Sequence, residues 1–468
     1  MQMHETIGQK LINEGILTQE QIDLALERQK IYGGRLGSNL VALGFITKEM
    51  LDSYFKQAPK VPKNIAETGL PESFISELIL KTIVSMGEFT IPDVAAKIKL
   101  PISIVDDAIQ LLRRDRMVEV KGATEYTRIS YKHTVTSQGR NMAAELMNLC
   151  QYVGPAPVSL DDYVKIVNHQ TVKNFDVREE TIRKAFSHLT IKESLLKRIG
   201  PAITSGKSMF LYGPPGNGKT TIAQIIGSVF EEDIYIPYAL YVGGQIITIY
   251  DPINHVAVKK EVSDGVDQRW VLIKRPIIMV GGELTLHMLE LNFNPISKFY
   301  DAPLQMKANN GLLVVDDFGR QLVHPRDLLN RWIVPLDRRI DYMKLHTGMS
   351  FEIPFDQLVI FSTNIDPKDL VDEAFMRRIR YKIYIGYPSE EEYKQIFKQI
   401  CSFNKIEFRE SVFKYLMSKY KKSNIPLCAA HPKDLIDQIV DYSHYYNIPP
   451  ELTEETIDLG WNNFIVEL

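Results

Sequence analysis

Near the amino terminus, apolar positions recur at helical spacing in two copies. Ile7-Gly8, Leu11-Ile12 and Gly15-Ile16-Leu17-Thr18 return as Leu36-Gly37, Leu40-Val41 and Gly44-Phe45-Ile46-Thr47, at a constant offset of 29 residues. Each copy predicts a short helix, a glycine stop, and a threonine that opens a second helix. Thr18 and Gln21 stand at capping-box spacing, and Ile22 and Leu26 supply the apolar stripe of the helix that follows. Together the copies predict one small helical domain over residues 1–58.

Prolines at 59, 62 and 71 mark residues 59–73 as a linker. Beyond it, the periodicity predicts helices over 74–84, 91–98 and 104–114, then strands over 117–121 and 127–131 joined through Gly122. That order is a winged helix-turn-helix pattern, assigned to 74–150. Pro155-Ala156-Pro157 marks a hinge in a helical connector, 151–189. From residue 190 short apolar runs at 209–212, 311–315 and 358–361 alternate with helical stretches, which predicts a parallel sheet buried on both faces. This α/β domain spans 190–388. Residues 389–468 form a helical lid, with helices over 390–401, 411–420 and 432–442. The long stretch ahead of residue 311 includes 238–250, 270–280 and a turn at Tyr300-Asp301, read as inserted β-hairpins. Tyr241-Val242-Gly243 has the aromatic–aliphatic–glycine form of a pore loop. It lies in alternating sequence, however, and is read as part of a hairpin.

Directly after the 209–212 run stands Gly213-Pro214-Pro215-Gly216-Asn217-Gly218-Lys219-Thr220, a gapless GxxxxGK[ST], with Thr221 continuing into a helix. A glycine-rich turn between strand and helix wraps backbone N–H groups around phosphate, and the helix start adds about half a positive charge. Lys219 is placed to reach the β- and γ-phosphates, and the Thr220 hydroxyl to ligate Mg²⁺. A chance glycine turn would lack the flanking strand and helix. The 311–315 run then delivers Asp316 to the Mg²⁺ shell and Asp317 to polarise the attacking water. With Asp in place of Glu at 317, the carboxylate is withdrawn by roughly 1 Å, a displacement that can cost about a hundredfold in rate. Nucleotide binding therefore follows more directly from these residues than hydrolysis does.

Three later segments keep a familiar order: Ser362-Thr363-Asn364, the stretch 372–380 with Arg377 and Arg378, and His431-Pro432-Lys433-Asp434-Leu435. With the two motifs above, they resemble the AAA+ ATPases over about residues 190–440. The resemblance implies Asn364 as sensor 1 and Arg377 or Arg378 as the arginine finger that reaches a neighbouring subunit's γ-phosphate. It puts Lys433 in the sensor 2 place, where the family usually has arginine; lysine keeps the charge without the bidentate fork. It also implies ATP and Mg²⁺ as cofactors, ATP hydrolysis, and a homo-oligomeric ring, commonly a hexamer. An ATP-switched regulatory scaffold with little hydrolysis is the alternative. Asp317-Phe318-Gly319 imitates a kinase motif, but no kinase catalytic loop accompanies it.

The duplicated segment resembles the MshEN domain of type II secretion and type IV pilus ATPases, whose pattern RLGxxLVxxGxI also occurs twice. The second copy begins Arg35-Leu36-Gly37, and the first ends at Gln29. The resemblance implies cyclic di-GMP as ligand, held by Arg35, Gly37 and Gln29; an arginine fork suits a guanine edge or a phosphate. Thr6 stands where the first copy would carry arginine, and Ala58 where the second would end in glutamine. A helical protein-docking module is the other reading. In the winged helix, Asp106 and Asp107 occupy the groove-facing end of the third helix, while Arg113, Arg114 and Arg116 lie at its far end. That arrangement favours a protein partner or an intramolecular contact over DNA, with a DNA-associated regulator the competing possibility.

The chain's 468 residues exceed one hydrophobic core, and a composition of 45% hydrophobic and 24% charged residues with net charge -3 is that of a multidomain globular protein. The near-neutral balance argues against a nucleic-acid coat. Cys150, Cys401 and Cys428 have neither CxxC spacing nor a histidine cluster, so reduced thiols in a cytoplasmic protein are expected. The first residues lack a signal peptide's basic and apolar regions, and no apolar run approaches the roughly 20 residues that span a bilayer. Direct membrane insertion is not expected.

Overall fold

The computed structural model describes residues 11–12, 15–32, 36–47, 50, 58–123, 131–172, 177–230, 232–259 and 265–464. The chain divides into two compact units, Met1–Lys60 with Asp264–Val266, and Val61–Ser263 with Asp267–Leu468.

In the first unit, helices α1 (Gln19–Tyr32) and α2 (Leu36–Ala42) pack around Leu11, Leu17, Ile22, Ala25, Leu40 and Ile46. The sequence repeat persists in the backbone. Gly15 donates to Ile12 O and Gly44 to Val41 O, both at 2.9 Å, while Ile16 donates to Leu11 O and Phe45 to Leu40 O, both at 3.0 Å. Thr18 N–H donates to Gln21 Oε1 (2.9 Å) and Gln21 N–H to Thr18 Oγ1 (3.3 Å), completing the capping box. Thr47 Oγ1 accepts from Met50 N–H at 3.1 Å in the corresponding place of the second copy. Gln29 and Gly37 are half-buried on α1 and α2. Arg35, Thr6 and Gly8 lie outside the described residues.

The second unit opens with α3 (Glu72–Ile83), β1 (Glu88–Phe89), α4 (Ile91–Ile98), α5 (Ile102–Arg114), β2 (Val118–Ala123), β3 (Tyr131–Val135) and α6 (Ser137–Leu149). The three strands form an antiparallel sheet in the order β1-β3-β2. The last strand was expected at 127–131 and instead runs Tyr131–Val135. There His133 and Val135 turn inward, and Thr136 then caps α6 by accepting from Gly139 N–H at 3.0 Å. Residues 127–130 lie outside the described set.

After two connector helices, Leu160–His169 and Glu179–Ala185, the α/β unit is built on α7 (Glu193–Ser205), β4 (Met209–Tyr212), α8 (Lys219–Ser228), β5 (Ile277–Val280), β6 (Leu312–Val315), β7 (Leu358–Thr363) and β8 (Tyr381–Tyr384). The five strands form one parallel sheet in the order β5-β6-β7-β4-β8. Their apolar runs are continuous because both faces are covered. Met209, Leu211, Leu312, Val314 and Ile360 pack with Ile203 of α7 and Ile222 and Ile226 of α8. The alternate positions Phe210, Leu313, Val315 and Phe361 pack on Phe318, Trp332 and Phe355. Parallel strands put the loops after β4, β6 and β7 at one end of the sheet, where a ligand crevice is expected.

Of the expected insertions, Ala239–Val242 and Gln245–Thr248 do form a hairpin, with Gly243 in its turn. Residues 270–280, by contrast, do not behave as one insert. Trp270–Lys274 pairs antiparallel with Asp233–Pro237, whereas Ile277–Val280 is the edge strand β5 of the parallel sheet. Pro276 separates the two, since it has no N–H for a continuing ladder. A further hairpin, Ile340–Lys344 with Ser350–Pro354, falls between β6 and β7 and was not expected. The carboxy-terminal helices α9 (Glu390–Phe403), α10 (Glu410–Ser423), α11 (His431–Tyr446) and α12 (Glu454–Phe464) pack on Tyr393, Phe397, Leu416, Leu435 and Ile439. The last of them adds a fourth helix to the three read from the sequence. Among the described residues, no helix is long and apolar enough to cross a membrane.

Candidate nucleotide site

The loop Gly213–Gly218 joins β4 to α8 at the sheet's carboxyl end. Gly213 N–H donates to Thr363 O at 3.3 Å, tying the loop to β7. A Cβ on Gly213 would collide with the Ile385 carbonyl, so the residue admits the next backbone at close quarters. Lys219 starts α8 and is buried, with Nζ donating to Gly213 O (2.9 Å) and Pro214 O (2.8 Å). Burial lowers the ammonium's pKa; Asp316, Asp317 and Cys428 oppose that shift. The ammonium thus lies inside the loop that would hold the phosphates. Asn217 buttresses the loop, with Nδ2 donating to Pro214 O (3.3 Å) and Pro215 O (3.2 Å). Thr221 is exposed one position beyond Thr220 on α8.

Thr220 Oγ1 donates to Asp316 Oδ2 at 2.8 Å across a sequence separation of 96 residues. A hydroxyl and a carboxylate converging in this way are hard oxygen donors. Mg²⁺ needs only one or two such protein ligands beside waters and substrate phosphates, so the pair fits that ion.

Asp317 follows at φ 47, its N–H donating to Asp316 Oδ1 at 3.0 Å. Asn364 Nδ2 donates to Asp317 Oδ1 at 3.1 Å, bringing together the second acid and the polar residue beyond β7. Two further bonds staple these strand ends: Phe318 N–H to Ser362 O and Thr363 Oγ1 to Phe318 O, both 2.7 Å. Phe318 itself is fully buried against Phe210 and Phe361, so the kinase-like triplet is a core anchor. Gln321 was not anticipated from the sequence. It accepts from Gly319 N–H (2.8 Å) and donates to Asp316 O (2.9 Å), fixing the turn that aims both acids.

The two arginines separate. Arg377 is 78% exposed and bonds Glu373 of its own short helix at 2.9 Å, whereas Arg378 is 30% exposed and bonds Asp337 at 2.9 Å. Lys433 is exposed in the first turn of α11. What the lid does bring to the loop is the strap ahead of α11. Ala430 N–H donates to Gly216 O (2.9 Å), Ala429 N–H to Asn217 Oδ1 (3.1 Å), and Cys428 Sγ to Pro215 O (3.5 Å). These residues carry no motif, and only their position just before the sensor 2 place hinted at them. All three cysteines are free thiols.

The loop strand β4 therefore lies between β7, which carries Asn364, and β8, which follows the arginines; the acid strand β6 lies one place further out. This strand order, with a nucleotide-site motif at each relevant strand end and a helical lid behind, decides the fold. The α/β unit is a five-stranded parallel sheet with a glycine-rich phosphate-loop motif on its β4–α8 turn.

Comparison with known proteins adds the following. A family described as a domain of unknown function, DUF8689, matches residues 389–463, the lid. No curated protein matches the chain. Among solved structures, the Thermotoga maritima RuvB Holliday junction branch migration motor is similar at 15% identity, covering 63% of this chain and 72% of that one, with a TM-score of 0.32. NtrX from Brucella abortus in complex with ADP is similar at 13% identity, covering 59% of this chain and 56% of that one, with a TM-score of 0.37. Domain III of the Thermotoga maritima replication initiation protein DnaA is similar at 13% identity, covering 60% of this chain and 97% of that one, with a TM-score of 0.35.

Proposed function

We propose that this chain is an ATPase that works as a homo-oligomeric ring in the cytoplasm and is governed through its amino-terminal segments. The observation that carries the proposal is the convergence of Lys219, Thr220 and Asp316 at one end of the parallel sheet, with Thr220 Oγ1 2.8 Å from Asp316 Oδ2. The loop N–H groups and the start of α8 would seat the phosphates, and Lys219 would leave its loop carbonyls to meet the β- and γ-oxygens. Thr220 and Asp316 would hold Mg²⁺, which when bound neutralises charge on the phosphates. Asn364 occupies Asp317 Oδ1, so Oδ2 is the atom that would accept a proton from the attacking water. Arg377, solvent-facing and on the segment ahead of β8, is the better-placed finger for a neighbouring subunit. The duplicated segment supports cyclic di-GMP as a regulatory ligand, and the three-helix, three-strand segment after it, read as a winged helix, supports a protein docking role.

The test is calorimetric titration of magnesium-loaded ATP, with phosphate release measured in parallel. Lys219→Ala should abolish both saturable uptake and turnover. Uptake undiminished in that variant would end the proposal. One observation favours a second reading, a nucleotide-switched scaffold with little hydrolysis: Asp317 is a methylene short and already engaged by Asn364. Asp317→Glu raising phosphate release by tenfold or more would support that reading, since a misplacement of about 1 Å is worth roughly a hundredfold. A fall in release would favour an active ATPase tuned to aspartate.

A further inference from the structure

An arginine-rich concavity lies away from the nucleotide loop, where α5 ends and β2 begins. Arg113, Arg114 and Arg116 line one concavity of about 710 Å³ together with Gln110, Glu119 and Thr136. Its frame is rigid. Arg116 N–H donates to Arg113 O (3.0 Å) and Met117 N–H to Leu112 O (2.8 Å), closing the helix, while Thr136 Oγ1 donates to Arg116 O (2.8 Å). Arg116 sits at φ 58, the left-handed turn that points the chain into β2. Leu112 and Val118 are buried beneath.

Arginines outnumber acids in this lining. Elsewhere Arg183, Arg269, Arg331, Arg378 and Arg409 each pair with a carboxylate. Among the described residues, no carboxylate pairs with Arg113, Arg114 or Arg116, and Glu119 is the single acid in the lining. The field reaches the interior: after burial, the Arg113 charge is the next cause holding the His133 imidazole below its usual value. Helix-end arginines often do no more than complement the local dipole. Here a third arginine beyond the helix lines the same shallow, open concavity.

We propose that this concavity binds a compact phosphate-bearing ligand, two or three phosphates engaged by the three guanidiniums. Planar forks suit phosphate oxygens bidentately. The helix starts at Ile102, so Asp106 and Asp107 fall in its second turn and not at its end as the sequence suggested, and Asp106 accepts from the lining residue Gln110 Nε2 at 3.2 Å. Two acids midway along α5 would repel a polyanion running along the helix, so a compact ligand is favoured over an extended nucleic-acid backbone.

Inorganic tripolyphosphate is the probe, titrated calorimetrically into the full chain, and the nucleotide loop is silenced by Lys219→Ala to leave only the second site. We expect saturable binding in the Lys219→Ala chain. Adding Arg113→Ala with Arg116→Ala should weaken it at least tenfold, and Glu119→Gln should tighten it about threefold by removing the one like charge, as expected for charge-assisted contacts. Arg113, Arg116 and Glu119 are exposed, so their substitutions do not threaten the fold, and each is compared with the Lys219→Ala chain that carries it. Affinity unchanged by the arginine substitutions would overturn the proposal. So would binding of a duplex of about 20 base pairs with a steep salt dependence but no tripolyphosphate binding, which would assign the arginines to nucleic acid. The outcome is independent of whether Lys219 supports ATP turnover, so the two readings fail separately.

Discussion

The contact between the lid strap and the loop makes Gly216→Ala a quantitative test of how the two are joined. Gly216 sits at φ 74, and a Cβ there would lie 2.5 Å from Cys428 Sγ and 3.4 Å from Ala430 Cβ. Left-handed backbone costs an alanine about 1 kcal/mol. The sulfur contact adds more, because non-bonded heavy atoms settle at roughly 3.5–4.0 Å, so the strap must retreat by about 1 Å. That retreat breaks Ala430 N–H to Gly216 O and Ala429 N–H to Asn217 Oδ1, now 2.9 and 3.1 Å, each worth about 1 kcal/mol. The single variant should therefore lose about 3 kcal/mol.

Cys428→Ala keeps the Cβ and removes only the buried sulfur, at a cost of about 1 kcal/mol. In the double variant the clash is gone and the strap returns. Only the backbone strain and the lost sulfur remain, about 2 kcal/mol where additivity would give about 4 kcal/mol. The coupling of about 2 kcal/mol is within the range seen for touching residues. The assay is scanning calorimetry of the four proteins, following the transition that magnesium-loaded ADP raises; for a domain of this size 1 kcal/mol moves Tm by roughly 2–4 °C. If the two substitutions add within about 0.5 kcal/mol, the strap does not rest on the loop as described.

Arg377→Ala should leave Tm within about 1 °C, because an exposed pair contributes little, yet reduce phosphate release of the assembled protein by at least about a hundredfold; full turnover in that variant, with loss in Arg378→Ala, would move the finger to Arg378. Arg378→Ala, which breaks the half-buried bond to Asp337, should lower Tm by a few degrees. Burial holds the His431 imidazole down at about 4, against about 6.5 when unfolded. The unfolded chain then binds the extra proton between those values, so lid stability, complete above pH 6.5, falls as the pH drops toward 4. Urea midpoints at pH 7, 5.5 and 4.5 should show that slope, and His431→Gln should flatten it; an equal slope in both proteins would assign the loss to other groups.

Much of the α/β unit was legible because its signals are contiguous. Strand β4 was placed to the residue, since four apolar side chains buried on both faces end abruptly at a glycine loop. Asp316 stood out for the same reason, as the first polar side chain after a buried apolar strand, whereas Asn364 follows Ser362 and Thr363, polar residues buried within β7. The repeat in the first unit was equally plain, because capping threonines and glycine stops act within one turn of chain. Strand β5 was misread as insert because only two residues, Arg275 and Pro276, separate two apolar runs of similar composition. Only the partner strand, parallel β6 against antiparallel 233–237, distinguishes them, and pairing is not a local property.

The strap at 428–430 shows where sequence reading fails for a physical reason. Two of its three bonds to the loop are made by backbone N–H groups of alanines, and every residue but proline offers the same donor. No side-chain pattern can announce such a contact. The sensor 2 place drew attention to Lys433 because a charged side chain is conspicuous in a motif, yet Lys433 is exposed while the unremarkable residues before it meet the loop. Since Ala430 bonds the carbonyl of Gly216 directly, any change in loop conformation is transmitted to the start of α11 without passing through a charged residue. A Lys433→Ala chain that keeps the strap's contribution to stability, while Gly216→Ala loses it, follows from that geometry.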